Sequence, residues 1–478
     1  MEQMEYRIEE DSIGSKKVPI DAYYGVQSIR GKENFPITGQ MMNTKFILSL
    51  AEIKKAAAKV NCKAGCLDQK KADAIMQACD EILEGKLHDQ FIVDPIQGSA
   101  GTSMNMNANE VIANRAIEIL GGKKGDYSIV HPNDDVNYGQ STNDVIPTAG
   151  KMTILKLWVE CKESLEDLHS AFMRKAAEFD GIVKMGRTQL QDAVPIRLGQ
   201  EFHSYGAAIR RGIDRIDKVM DEMRYVNLGG TAVGTGLNAN ITYFWTVVPE
   251  LAKISALPLV QEDDTVDGTQ NLDPIAAVSS AFKSLAVALS KMSNDLRLMS
   301  SGPRCGLQEI TLPPMQNGSS IMPGKVNPVI PEVMNQVCFR VIGHDVTITL
   351  AAEAGQFELN AFEPIIFHCI FEIISSIDHA AWTFTRNCIN GIKANEEHCR
   401  ELVDSSVGVI TAICPHVGYK KAAAVAKEAI KTGASVRDLI KKENLLNDDE
   451  LRRIMDPMSM TTPGIVAEEL LKRREGEK

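Results

Sequence analysis

Four polar segments interrupt the helical pattern of this 478-residue chain and carry its candidate chemistry. They are residues 98–109, 140–144, 184–189 and 318–328. They contribute hydroxyls, amides and an ammonium: Thr102, Ser141, Thr142, Asn143, Thr188, Gln189, Ser319, Ser320, Lys325 and Asn327. Uncharged hydrogen-bond donors around one lysine suit a small polyanion such as a dicarboxylate. Each segment alone is also typical of a capped helix start or a turn, so the functional prediction depends on their joint occurrence.

The segment 318–328 is predicted to be an irregular loop. It reads Gly-Ser-Ser-Ile-Met-Pro-Gly-Lys-Val-Asn-Pro, and further prolines flank it, so neither a regular helix nor an interior strand fits. A phosphate-binding P-loop needs four residues between its glycines and a Ser or Thr after its Lys. Here five residues separate Gly318 from Gly324, and Val326 follows Lys325. The sequence therefore excludes a P-loop.

Two apolar stripes predict the long helices that must position these segments. Residues in each stripe recur every three or four positions, along one helix face. The members are Ile154, Trp158, Cys161, Leu165, Leu168 and Phe172, then Phe282, Leu285, Leu289, Met292, Leu296 and Met299. Helices of about 30 residues would be about 45 Å long. We therefore expect an all-α, mainly helical fold, with a bundle of long helices whose apolar faces also contact other subunits.

Changes in composition along the chain predict three domains. They are a mixed, mainly helical N-terminal domain (1–140), a central long-helix bundle (141–395) and a small C-terminal α domain (396–478). Within the first, residues 1–45 are turn-rich and polar. Residues 97–110 form a small-residue stretch with too few large apolar side chains to pack as core, followed by a short helix over 113–120.

Charge and cysteine usage narrow the functional class. The net charge of −11 argues against nucleic acid or an anionic membrane as a partner, because both require a basic surface. The ten cysteines are scattered without metal-ligand spacing, so neither a metal site nor a disulfide framework is expected. The N-terminus lacks the apolar stretch of a signal peptide, and we expect a cytoplasmic protein.

The loop 318–328 resembles the signature loop of the aspartase/fumarase superfamily, which argininosuccinate and adenylosuccinate lyases share. Further motifs make the similarity specific for the aspartase and class II fumarase group: Tyr23-Tyr-Gly-Val-Gln27, Gly101-Thr-Ser-Met-Asn-Met-Asn-Ala-Asn-Glu110, His131-Pro-Asn-Asp134 and Asn227-Leu-Gly-Gly-Thr-Ala-Val-Gly-Thr-Gly236. The resemblance runs from about residue 6 to 465. It implies a three-domain fold whose long helices assemble into the 20-helix core of a homotetramer, with each active site drawn from three subunits.

Three positions indicate the aspartase branch. Fumarases usually carry Trp where this chain has Tyr24 and His where it has Gln189, and Thr142 matches the aspartase form of its motif. The resemblance thus implies reversible loss of ammonia from L-aspartate to give fumarate. Two alternatives stay open: a class II fumarase that hydrates fumarate to malate, and an inactive structural homologue.

The implied reaction assigns roles to the polar residues. By resemblance, Ser319 is the base that removes the Cβ proton. We expect the hydroxyls of Thr102, Ser141 and Thr142, with the Ser320 backbone N–H, to stabilise the enediolate that forms. In the family, Lys325, Asn327 and Thr188 would hold the α-carboxylate, and Asn143 with Gln189 the amino group. No cofactor is expected, and activation by a divalent cation such as Mg²⁺ stays open.

Overall fold

A computed structural model gives the fold and describes residues 5–476, with side chains described over residues 5–472. The ends of the predicted first and last domains, residues 1–4 and 477–478, lie outside the described residues. The α-helices, numbered in chain order, are α1 (Val26–Asn34), α2 (Thr44–Lys63), α3 (Gln69–Leu83), α4 (Thr102–Ile119), α5 (Thr142–Glu178), α6 (Leu198–Met220), α7 (Ile241–Ser255), α8 (Thr265–Gln270), α9 (Asp273–Met299), α10 (Val329–Glu353), α11 (Glu363–Asn387), α12 (Glu396–Ser405), α13 (Cys414–Val417), α14 (Tyr419–Thr432), α15 (Val436–Lys442), α16 (Asp448–Ile454) and α17 (Glu468–Gly476).

Short strands form four two-stranded sheets in the described chain. The strands are β1 (Tyr6–Asp11), β2 (Gly14–Pro19), β3 (Val183–Thr188), β4 (Gln191–Arg197), β5 (Tyr225–Val226), β6 (Val260–Gln261), β7 (Ile310–Thr311) and β8 (Lys393–Ala394). The pairs β1–β2, β3–β4 and β7–β8 are antiparallel, and β5–β6 is parallel. The expected mainly helical fold is confirmed, because these strands are few and short.

The long helices match the apolar stripes. Helix α5 has 37 residues, and α9 has 27. Every residue of both stripes is buried. A helix with an apolar face this long must be covered along its whole length, so these helices form the scaffold from which the polar segments project.

The expectation for residues 97–110 was wrong. From Thr102 onward this stretch is helix α4, and residues 104–110 are all buried. Asn107 fits the interior because it is hydrogen-bonded: its amide donates to the Gln90 carbonyl at 3.0 Å and accepts from the Ile92 N–H at 2.8 Å. A small polar side chain can therefore pack as core when it binds the backbone of neighbouring segments.

The N-terminal region is also more regular than its turn-rich sequence indicates. Strands β1 and β2 pair from Tyr6↔Pro19 to Asp11↔Gly14. Glu110 fixes the start of α1, because its carboxylate accepts the N–H groups of Gly25 and Gln27, each at 2.8 Å. Burial raises the pKa of Glu110 to about 7 against these hydrogen bonds.

The described chain divides into two compact units. The first comprises the described residues up to 163, with 212–286 and 337–379, and the second comprises 164–211, 287–336 and the described residues from 380 onward. Every boundary between them falls within one of the long helices, α5, α6, α9, α10 or α11. The three-domain division stays a prediction.

The second unit contains the C-terminal helices, which are short, as expected after residue 393. Helices α12, α14, α15 and α16 have between 7 and 14 residues. They enclose an apolar cluster that includes Val403, Ile413, Ile440 and Ile454.

Within the described part of the chain, two helices are long and apolar enough to resemble membrane spans. They are α9 and the segment Glu363–Gly391, and 56% of each apolar window is buried inside the fold. That burial is typical of the core helices of a soluble protein.

Candidate active site

The loop 318–328 has no helix or strand, as predicted, and presents Ser319 in a specific setting. Ser319 Oγ accepts the backbone N–H groups of Ile321 at 3.2 Å and Met322 at 3.1 Å. Two N–H dipoles aimed at one hydroxyl oxygen favour negative charge on that oxygen. Ser319 is half-buried and Ser320 is exposed, so both face accessible space.

The two ends of the loop are fastened together. The Gly318 N–H donates to the Lys325 carbonyl at 2.8 Å, and Asn327 Nδ2 donates to the Gly318 carbonyl at 2.8 Å. A Cβ on Gly318 would lie 2.6 Å from the Lys325 oxygen, so only glycine allows this approach. Gly324 has φ +81°, a left-handed conformation that also favours glycine. The loop is therefore a closed turn with Ser319 near its start.

Lys325 and Asn327 line a cavity of about 500 Å³ in the second unit. Arg297 lines the same cavity. Lys325 is exposed, and among the described residues its ammonium forms no ion pair. The cavity thus offers positive charge that the fold leaves available to an anion.

Thr188 and Gln189 lie at the tip of the β3–β4 hairpin, also in the second unit. Thr188 pairs with Gln191 across a two-residue turn. Both turn residues, Gln189 (φ 55°) and Leu190 (φ 63°), are left-handed, as the turn that fits a hairpin twist requires. Thr188 and Gln189 are exposed, so the strained tip presents their polar groups outward.

An ion network lies behind the hairpin tip. Glu309 is fully buried and pairs with Arg187 at 2.7 Å and Lys184 at 3.0 Å. Lys184 also pairs with Glu201 at 3.0 Å. Burial opposes the charge on Lys184, but the two carboxylates outweigh burial and raise its pKa. Arg187, the residue before Thr188, is therefore held in place by its ion pair with the buried Glu309.

Thr102 is the first residue of α4, in the first unit. The three residues before it, Ser99, Ala100 and Gly101, all have left-handed φ, between 52° and 89°. This strained turn places Thr102 at the N-terminus of the helix, where Thr102 Oγ1 donates to the Ser99 carbonyl at 2.8 Å. Thr102 also lines a cavity of about 530 Å³ in this unit.

Ser141, Thr142 and Asn143 form the start of α5, also in the first unit. Ser141 caps the helix: its Oγ accepts the Asn143 N–H at 3.2 Å, and its own N–H donates to Asp144 at 2.9 Å. Asn143 Nδ2 donates to the Ala232 carbonyl at 2.7 Å. The cap leaves all three residues half-buried, with their side chains at the helix end.

Asp144 joins this helix start to the loop 227–236. Its second oxygen accepts the N–H groups of Gly229 at 3.0 Å and Thr231 at 3.1 Å. Burial raises the pKa of Asp144 to about 6, although its backbone hydrogen bonds favour the ionised form. Asp144 therefore fixes the position of the three residues without facing the solvent.

The described structure thus assembles the predicted residues in groups. One group, with Thr102, Ser141, Thr142 and Asn143, belongs to the first unit. Thr188 and Gln189 at the hairpin tip, and Ser319, Ser320, Lys325 and Asn327 in the loop, belong to the second. All ten residues are half-buried or exposed, as substrate contact requires.

Sequence reasoning missed a buried lysine beneath the first group. Lys54 of α2 is fully buried, and its ammonium donates to Asn105, Asn137 and Gln140 at 2.7–2.9 Å. A signal for it exists in the sequence. Lys54 falls on the same helix face as the buried Ile47, Leu50, Ala57 and Asn61, where a lone lysine within an apolar stripe must find partners.

Family comparisons match nearly the whole chain. A family model described as Lyase matches residues 14–343, and one described as Fumarase C C-terminus matches residues 409–462. The aspartate ammonia-lyase of Bacillus subtilis is 55% identical over 471 residues, covering 98% of this chain and 99% of that protein. The aspartate ammonia-lyase of Escherichia coli is 45% identical, covering 96% of this chain and 97% of that protein.

Solved structures share the fold. A fumarate lyase:delta crystallin from Brucella melitensis, bound to cobalt, superimposes with a TM-score of 0.93 at 47% identity, covering 96% of this chain and all of that chain. A class II fumarase from Schistosoma mansoni gives a TM-score of 0.92 at 34% identity, with the same coverage.

Proposed function

This chain belongs to the aspartase/fumarase superfamily, and we propose that it catalyses the reversible deamination of L-aspartate to fumarate and ammonia. It is then a carbon–nitrogen lyase that acts on a small dicarboxylate. One observation in the site carries the proposal: a serine hydroxyl oxygen, Ser319 Oγ, accepts two backbone N–H groups on an accessible loop that also bears Lys325 and Asn327.

Ser319 is the base in this proposal. A serine hydroxyl removes a carbon-bound proton only when its oxyanion is stabilised. The N–H groups of Ile321 and Met322 supply that stabilisation from the loop itself. In the assembled site the Lys325 ammonium adds to it.

The hydroxyls of Thr102, Ser141 and Thr142 form the anion hole, together with the Ser320 N–H. Removal of the Cβ proton moves charge onto the β-carboxylate as an enediolate, and stabilising this charge is the main demand of the reaction. The fixed N-termini of α4 and α5 support the assignment, because a helix N-terminus favours negative charge.

Lys325, Asn327 and Thr188 hold the α-carboxylate, and Asn143 with Gln189 holds the amino group. The ammonium of Lys325 is exposed and forms no ion pair in the part of the chain that the structure describes, which suits a carboxylate partner. Gln189 does not titrate, so the amine leaves without a side-chain general acid at this position.

A homotetramer with composite sites completes the proposal. Helix α10 exposes Phe339 (61%), Val346 (56%) and Leu350 (63%) along one face, an apolar patch that a partner subunit would cover. The polar groups also divide between the two units of one chain. We expect each site to draw on three subunits and the protein to be cytoplasmic.

The direct test supplies fumarate with either ammonia or water alone and follows the absorbance of the double bond. Loss of absorbance only with ammonia is the expected result. Loss in water alone would identify a class II fumarase, and no loss in either condition would identify an inactive homologue. Repeating the assay with and without Mg²⁺ tests the expectation that no cofactor is required.

Complementation tests the composite site. Ser319→Ala and Thr102→Val tetramers are each expected to be nearly inactive. If the two residues of one site come from different subunits, dissociating and reassembling an equal mixture restores about a quarter of the wild-type activity. Active monomers in sedimentation, or no recovery in verified hybrid tetramers, would contradict the arrangement.

A further inference from the structure

Lys54 is a buried cation that the proposed chemistry does not use. Its side chain is fully buried, and its three nearest acceptors are the side-chain oxygens of Asn105 at 2.7 Å, Asn137 at 2.8 Å and Gln140 at 2.9 Å. A lysine ammonium has three N–H donors and no acceptor, so three carbonyl oxygens match its charged form completely. Burying a charge is costly, so the three acceptors are needed to hold the ammonium in the interior.

The three amides lead from Lys54 to the candidate anion hole. Asn105 Nδ2 donates to Thr142 Oγ1 at 3.4 Å and to Asn137 Oδ1 at 3.2 Å. Asn137 Nδ2 in turn donates to the backbone carbonyl of Gln140 at 3.2 Å, and Gln140 directly precedes Ser141. Asn105 also lies one turn along α4 from Thr102. The ammonium therefore orients groups next to all three candidate hydroxyls.

We infer that Lys54 is a positioning residue of the anion hole, fixing Asn105, Asn137 and Gln140 so that the hydroxyls of Thr142 and Ser141 face the enediolate. This inference rests on the proposed deamination. Because Asn105 donates to Thr142 Oγ1, the hydroxyl proton of Thr142 is free to point at the developing negative charge. The Lys54 ammonium, which donates to the Asn105 side-chain oxygen, also polarises the Asn105 amide and so strengthens its N–H as a donor to Thr142.

Other charged groups near Lys54 do not remove this effect. Asp144 is the carboxylate that acts on it electrostatically, and Asp144 is itself bound by three backbone N–H groups. Burial lowers the pKa of Lys54 to about 7, and Asp144 and the Cys79 side chain oppose that decrease. The three carbonyl oxygens act in the same direction as Asp144, toward the ammonium form.

The test compares Lys54→Met with Asn105→Asp. Methionine retains the buried chain and loses the charge. Aspartate at position 105 still accepts from Lys54 but has no N–H for Thr142. In both variants kcat for aspartate falls about 10²-fold, as for loss of an oxyanion-hole donor. The inhibition constant for the nitronate of 2-amino-3-nitropropionate, which carries the enediolate's charge distribution, rises in parallel, while KM changes less than about threefold.

Lys156→Met is the matched control. Lys156 pairs with Glu52 of α2 at 2.6 Å and contacts none of the three amides. Its loss is expected to lower the melting temperature and leave kcat and nitronate inhibition unchanged. If the Lys54→Met variant does not assemble, kcat and nitronate inhibition in the Asn105→Asp variant test the inference.

Two results would overturn the inference. One is wild-type kcat and nitronate inhibition in an assembled Asn105→Asp tetramer. The other is a rise in KM without loss of kcat, which would indicate uniform binding or scaffolding. An inactive wild type is distinguishable from both, since it would overturn the proposed function itself.

Discussion

The hydroxyl oxygen of Ser319 lies 3.1 Å from the backbone nitrogen of Met322, as a hydrogen-bond acceptor. The same oxygen also accepts the backbone N–H of Ile321 at 3.2 Å. The loop therefore lowers the cost of placing negative charge on Ser319 before any substrate is bound.

Ser319→Ala is expected to abolish deamination and leave the tetramer intact. The substitution removes the base and no buried contact, since Ser319 is half-buried and its partners Ile321 and Met322 are exposed residues. Steady-state deamination and sedimentation measure the two effects. The control is Ser128→Ala, which removes an exposed hydroxyl bound to Asp126. Near-wild-type turnover in Ser319→Ala would exclude Ser319 as the base.

Lys325→Met is expected to weaken aspartate binding. A hydrogen bond to a charged group contributes roughly 1.5–3 kcal/mol, so kcat/KM falls about 10- to 160-fold. Since Lys325 is exposed and forms no ion pair among the described residues, the melting temperature should not change. Steady-state kinetics at several salt concentrations and thermal unfolding test this. A lower melting temperature together with the loss of kcat/KM would mean that Lys325 stabilises the fold and does not bind the substrate.

The Gln189→Gly variant distinguishes two roles of this position, the backbone conformation of the turn and the side-chain amide. Glycine accepts the left-handed φ of 55° without strain, so the unfolding free energy should change by no more than about 1 kcal/mol. The amide that contacts the amino group is lost, and KM for aspartate rises. Comparing KM with the melting temperature tests the assignment. An unchanged KM would remove Gln189 from the site.

Asp144→Asn tests the pH dependence of stability. Burial raises the pKa of Asp144 from 3.8 to about 6, so the folded chain holds this proton more tightly than the unfolded chain. The contribution of Asp144 to the unfolding free energy is therefore present below pH 4 and is lost as the pH rises to about 6.

Thermal unfolding of the wild type and Asp144→Asn between pH 4 and 6.5 measures that contribution. The melting temperature of the wild type, relative to the variant, is expected to fall across this range. A relative rise would mean that the N–H groups of Ser141, Gly229 and Thr231 outweigh burial.

The sequence by itself determined the class of chemistry and the helical scaffold. The loop 318–328 could be recognised because its prolines and glycines exclude regular structure, whatever surrounds it. The stripes on α5 and α9 could be recognised because a helix that buries one face repeats its apolar residues every three or four positions. Both signals are local, and the structure bears both out.

Only the tertiary structure decided what the buried polar residues bind. The stretch 97–110, which includes the asparagines of α4, was expected to have too few large apolar side chains to pack as core, and Lys54 was not among the predicted site residues. Their partners, such as Gln90 for Asn107 and Gln140 for Lys54, are separated from them by many residues. A buried polar group is stable only with its hydrogen-bond partner present, and periodicity carries no information about partners that the fold brings from elsewhere in the chain.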